Sequence, residues 1–149
     1  MKRNAGAEQL LRIINQLIFL GKNNALTYGD NLKLYPSEIH LLLTITNGKS
    51  ENYNVIVKHL GVTKGAVSQT ISRLVKKGIL EKKTSGGKSD LMIQLTDLGK
   101  KVQKKCVKIQ EAVRDQFASY MDSLSADDRR VIGEFLDHVE KTLGIQKQE

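Results

Sequence analysis

Lys64, Ser68, Ser72 and Lys76 recur every four residues, and Gly65, Gln69 and Arg73 run beside them. On a helix of about 3.6 residues per turn, these positions form one polar face. The face carries three cations and no acid, whereas a face that is merely solvated alternates Glu with Lys. Its side chains suit recognition of anions and hydrogen-bonding edges. Gln69 has the geometry for a two-point contact to adenine, and Arg73 for one to guanine or a phosphate. Thr63, Lys64, Gly65 and Ser68, at the start of such a helix, would lie near phosphates and base edges.

The surrounding charge agrees. From Val57 to Ser89 eight basic residues, Lys88 among them, face a single acid, Glu81, for a net charge of +7. The whole chain carries +8. Gln110 to Glu149 holds five basic and nine acidic residues, a net of −4. Positive charge gathered on one small unit is the footprint of a nucleic-acid reader.

Other chemistries find little support. His40, His59 and His138 are scattered, with no second His or Cys at three or four residues, so no metal site is expected. The lone Cys106 falls on an apolar stripe and reads as a small buried hydrophobe. Asp127 and Asp128 sit where a helix N-terminus would use them as caps. No phosphate loop, nucleotide fingerprint or Ser–His–Asp order is present. We therefore expect no enzyme, no catalytic residue and no cofactor.

The elements that must hold the polar face are mostly helical. Residues 7–23 place Leu10, Ile13, Ile14, Leu17 and Ile18 at helical spacing. A connector rich in Asn and Gly is expected over 21–35. Pro36 sits at a first helical position, with Glu38 in the first turn, where acids favour the helix dipole. Asn47-Gly48 stops that second, nearly all-apolar helix. A short helix over 52–60, a turn at Gly61 and an N-cap at Thr63 lead into the polar-faced helix. Its inward stripe is Val67, Ile71, Leu74 and Val75, and Gly78 ends it.

Ile79–Thr84 and Leu91–Leu95 read as two strands around a six-residue tip. Thr96 then caps a helix over 97–122, with apolar positions from Val102 to Leu124. It would be about 39 Å long, too long for one small globule to cover. Ser125 and Asp128 resemble a capping box before a last helix. The fold expected is mainly α: a winged helix–turn–helix lobe over 34–98, with dimerisation helices over 7–23 and 99–144, in a single unit spanning 1–149. No run approaches the ~18 apolar residues of a membrane span, and the lone cysteine suits a reducing cytoplasm.

Three segments carry a family resemblance. They are Leu60-Gly61-Val62-Thr63-Lys64-Gly65-Ala66-Val67-Ser68-Gln69, then Arg73-Leu74-Val75-Lys76-Lys77-Gly78-Ile79-Leu80, then Leu95-Thr96-Asp97-Leu98-Gly99. In that order and spacing, with long flanking helices, the chain resembles the MarR family of transcription regulators. The resemblance implies a homodimeric repressor of a pseudopalindromic double-stranded DNA operator. It also implies a small effector, often aromatic or phenolic, that binds between the first, second and fifth helices and lowers DNA affinity. The chain departs from the family at the wing. An Asp-x-Arg pattern there would place Arg in the minor groove, and its positions are held here by Gly87 and Ser89, leaving Lys88 as the nearest cation. The alternative from another class is a winged-helix protein–protein module whose basic unit binds an acidic partner.

Overall fold

The computed structural model describes residues 4–23, 26–28, 32–46, 49–84 and 91–145, with backbone alone for 18–23 and 26–28. The chain runs α1 (Ala5–Asn23), β1 (Leu26–Tyr28), β2 (Leu32–Leu34), α2 (Pro36–Thr44), β3 (Glu51–Asn52), α3 (Tyr53–Leu60), α4 (Lys64–Lys76), β4 (Leu80–Thr84), β5 (Leu91–Leu95), α5 (Asp97–Asp122) and α6 (Ala126–Leu143). The mainly helical winged fold expected from the sequence is what forms.

Two differences stand out. The supposed connector contains an antiparallel pair, β1 with β2, in which Leu26 faces Leu34 and Tyr28 faces Leu32. Three-residue strands are too short for alternation to register against the Asn and Gly around them. The wing also has a third strand. Its order is β3-β5-β4, with Glu51 opposite Ile93 and Leu80 opposite Leu95. A two-residue strand leaves no periodic trace, and Glu51 and Asn52 are poor strand formers.

Local signals set the helix ends. Pro36 opens α2, where its missing N–H costs nothing. Asn52 caps α3 by accepting from the Asn54 N–H at 2.8 Å. Gly61 closes α3 at φ +62°, a left-handed conformation that glycine adopts without a Cβ clash. Thr63 caps α4 through the Ala66 N–H at 3.2 Å. The exit from α4 is a Schellman turn: Gly78 donates to the Val75 carbonyl and Ile79 to the Leu74 carbonyl at 3.0 Å. The capping expectation at Ser125 holds in part. Its Oγ accepts from the Asp128 N–H, but the Asp128 carboxylate accepts from the Ser125 hydroxyl and not from the backbone N–H.

One core lies inside the lobe. Leu34, Leu41, Leu42 and Ile45 meet Ile56 of α3, Val67, Ile71 and Leu74 of α4, and Ile79, Leu80, Ile93 and Leu95 of the wing. Val102 and Cys106 close it from α5. Each buried aliphatic side chain contributes about 1.5–3 kcal/mol relative to exposure. Gln103 of α5 is buried beside them and donates to the Leu42 and Ile45 carbonyls at 2.6 and 2.5 Å. Those carbonyls lie at the end of α2, where the helix supplies few partners of its own: Leu42 also accepts from the Ile45 N–H at 3.4 Å.

The rest of the molecule has little core. No residue of α6 is buried. Leu11 and Leu17 of α1, Phe117 and Tyr120 of α5, and Val131, Phe135 and Leu136 of α6 are all at least half exposed. Among the described residues, no helix is long and apolar enough to cross a membrane.

The lobe joins α5 through a close approach at Gly99. A Cβ there would stand 2.0 Å from the Ile79 carbonyl oxygen. We expect Gly99→Ala to cost about 1–3 kcal/mol, the usual range for overpacking. At Gly133 an added Cβ meets nothing within 4 Å. Thermal unfolding followed by circular dichroism should therefore show a lower midpoint for Gly99→Ala than for Gly133→Ala. Equal midpoints would contradict the contact.

Candidate nucleic-acid interface

Helix α4 presents two faces. Val67, Thr70, Ile71 and Leu74 are buried against the core. Lys64, Gly65, Ser68, Gln69, Arg73 and Lys76 are exposed, and Ser72 is half-buried. The structure thus brings seven of the nine expected residues onto one helix, with Thr63 at its cap. Lys88, with Gly87 and Ser89, lies outside the described residues.

The turn before α4 is held from outside. The Tyr53 hydroxyl at the start of α3 donates to the Lys64 carbonyl at 2.8 Å, so the first turns of the two helices are tied together. Gly61 and Val62 between them are exposed. The first turn of α4 is therefore open to solvent, its early N–H groups and positive dipole end beside the Lys64 side chain.

The wing stands next to this helix. Leu80 anchors its root in the core, while Lys82, Lys83 and Thr84 are exposed toward the tip. Glu81, the acid in this basic unit, is taken up locally. Gln94 donates its amide N–H to Glu81, and Ser50 donates to the Gln94 carbonyl at 3.0 Å. Lys83 lies 3.9 Å from the same carboxylate. This chain of bonds ties β4 to β5 and to the entry of β3, and it partly neutralises Glu81.

Arg73 departs from the expected picture. Its guanidinium donates to Thr70 Oγ1 at 3.1 Å and Ser37 Oγ at 3.4 Å, and its Nε lies 3.6 Å from Glu38. Glu38, read from the sequence as a dipole acid, is fully buried and paired with Lys77 at 2.7 Å. An acid set inside the apolar run Ile39, Leu41, Leu42 was the available signal. It gave no partner, because the sequence does not say which cation the fold brings across.

Away from α4, Lys100, Lys101, Lys104, Lys105 and Lys108 are exposed on α5, opposite its buried Val102, Gln103 and Cys106. His40 is exposed on α2. Among the described residues, no three His, Cys, Asp or Glu side chains gather where they could hold a metal ion.

A helix–turn–helix followed by a stranded wing, carried on long flanking helices, defines a winged helix–turn–helix regulator fold. Residues 34–88 match the sequence model of the MarR family. The resemblance read from the sequence is borne out over that segment. A curated relative is the uncharacterized HTH-type transcriptional regulator YvnA of Bacillus subtilis, 24% identical over 102 residues. The match covers 68% of this chain and spans 65% of that relative's own length. Among solved structures, the adhesin competence repressor AdcR of Streptococcus pyogenes superposes with a TM-score of 0.78 at 17% identity, covering 94% of this chain and 98% of that one. ZitR of Lactococcus lactis, solved in complex with DNA, gives 0.72 at 15% identity, covering 92% and 97%. ZitR is also described as zinc-responsive. At these identities the likeness to the solved structures is one of fold.

Gly65 sits in the first turn of α4, where an added Cβ would meet nothing within 4 Å. Alanine there should raise fold stability by about 0.5–1 kcal/mol, the usual glycine penalty in a helix. The same Cβ would stand between the helix backbone and whatever it approaches. Gly65→Ala should thus melt higher yet bind duplex DNA less tightly. A variant that is more stable and binds unchanged would remove Gly65 from the interface.

Proposed function

We propose that this protein is a sequence-specific double-stranded DNA-binding transcription regulator that acts as a homodimer, with α4 as the reading helix. The observation that carries the reading is the acid-free exposed face of α4. Lys64, Ser68, Gln69 and Lys76 stand clear of solvent-blocking neighbours on a helix whose other side is cored, beside a wing rich in lysine. Thr63, Lys64, Gly65 and Ser68 approach phosphates and base edges from the first turns, Gln69 reads a base, and Ser72 and Lys76 follow along the backbone. Lys88 at the wing supplies charge more than sequence information, because a compact hydrated ammonium fits a minor groove less well than a guanidinium.

Dimerisation follows from the uncovered apolar surface. Phe117 is 69% exposed and Leu17 63%, and such side chains repeat along α1, α5 and α6. A lobe of about 65 residues has too little surface to bury three further apolar faces. A two-fold partner covers them and sets two copies of α4 for a palindromic site. The repressor role, the small-molecule effector and a cytoplasmic location rest on the family resemblance.

Gln69→Ala is expected to relax base preference at one position in each half-site by about 1–3 kcal/mol, with less effect on binding to random duplex. Competition assays with single-base variants of a bound duplex would read this, and unchanged preference would remove Gln69 from base readout. Truncation before Ser125 tests the assembly. The intact chain should scatter light as a dimer at micromolar concentration, and the truncated chain should lose tight DNA binding although α4 and the wing remain. A monomeric intact protein, or a truncation that binds as tightly, would overturn the dimer.

A further inference from the structure

Among the described residues, Glu38 is the one fully buried acid, and the start of α2, the end of α4 and β2 meet around it. Its carboxylate accepts from the Tyr35 N–H at 2.8 Å and from Lys77 Nζ at 2.7 and 2.8 Å. Arg73 Nε lies 3.6 Å away. Lys77 Nζ also donates to the Lys33 carbonyl of β2 at 2.7 Å and sits 5.3 Å over the Tyr35 ring. Arg73 adds hydroxyl contacts to Ser37 and Thr70, and Thr70 in turn donates to the Ala66 carbonyl. The last turn of α4 is thereby fastened to the start of α2 and to β2.

A buried carboxylate is costly unless cations and N–H donors satisfy it. Here both cations come from the end of α4, so the cost is offset only while that helix end is seated against α2. The seat is specific in direction as well. The Arg73 guanidinium turns its Nε toward the carboxylate and its Nη2 to two hydroxyls, while the side chain stays 45% exposed, so part of its donor set is already engaged within the protein. Arg73 also lies in the third turn of α4, past the N-terminal turns that contact bases in helix–turn–helix readers.

We propose that Arg73 and Lys77 are positioning residues of the reading helix, acting on DNA only through their shared hold on Glu38. Arg73 in this account reads the protein and not the DNA. The clamp also references the tilt of α4 to the β1–β2 pair, the segment that leads from α1 into the lobe. Two copies of α4 in a dimer are then held at one mutual angle by the same pair of cations. The inference rests on α4 being the reading helix.

The test measures affinity against salt for a duplex enriched from a random pool by the wild-type chain. The variants are Arg73→Ala, Arg73→Gln, Glu38→Gln and the double variant Glu38→Gln/Arg73→Ala, each checked for its thermal midpoint. A positioning role predicts about a tenfold loss of affinity in each single variant and no further loss in the double, since both remove one coupled unit. It also predicts an unchanged salt slope and unchanged base preference, which a residue touching DNA could not leave intact. A slope lowered by about one in Arg73→Ala means a phosphate contact, and relaxed preference at one position means a base contact. Either result, or additive losses in the double variant, overturns the inference while leaving α4 as the reader. If Arg73→Ala fails to fold, Arg73→Gln, which keeps a donor amide for the hydroxyls, carries the same comparison. A wild-type chain that enriches no duplex overturns the reading of α4 and this inference with it.

Discussion

The architecture depends on one close approach, the first turn of α5 against the Ile79 carbonyl. The Thr96 N–H donates to that carbonyl at 3.0 Å, and its hydroxyl donates to the Gly78 and Ile79 carbonyls at 2.5 and 3.1 Å. The same hydroxyl caps α5 through the Gly99 N–H at 3.0 Å, and Gly99 has no Cβ to interfere. At this point α4 has just ended, the wing has begun and returned, and the long helix starts. A Schellman turn, a strand pair and a capped helix share two backbone carbonyls. Because a packed junction of this kind resists small deformations, the axis of α5 is fixed relative to the face of α4.

That rigidity separates two kinds of surface. Within the lobe a continuous apolar core is buried, and its buried polar side chains, Glu38, Thr70 and Gln103, are all hydrogen-bonded, so the exposed face of α4 is a stable surface of defined charge. Outside it, α1, α6 and the far half of α5 carry aliphatic and aromatic side chains that this chain alone does not cover. The charge follows the same division: the basic excess lies on α4 and the wing, and the C-terminal forty residues are net acidic. A dimer built through the uncovered faces would keep its acidic part away from the polyanion its lobes approach. Gln103 ties α5 to the end of α2 at 2.6 and 2.5 Å and so ties the long helix to the lobe a second time.

Much of this was legible in the sequence, for identifiable reasons. The caps at Thr63 and Thr96, the glycines at 61 and 78, and the inward stripe of Val67, Ile71 and Leu74 are local signals, complete within a few residues. The exposed face of α4 is the complement of that stripe and came with it. What was not legible depended on partners distant in the chain. Glu38 meets Lys77 and Arg73 across more than thirty residues, and nothing near Glu38 names them. Gln103 sits within an apolar stripe and finds its carbonyls sixty residues back. The strands β1, β2 and β3 have two or three residues each, too few to express a period. Sequence periodicity places Arg73 on the exposed face of α4, and the structure has it there. The direction of its side chain is set by α2, which periodicity does not contain.

The central claim is that two copies of α4 read duplex DNA in a fixed relation. The most direct measurement is selection of duplexes from a fully random pool by the intact purified chain, with sequencing of the bound fraction. The account predicts enrichment of a pseudopalindrome whose two half-sites lie about one helical turn apart, roughly 10 base pairs centre to centre, or a multiple of that. Recovery of a bound fraction with the composition of the starting pool, or of single half-sites without a symmetric partner, would contradict it.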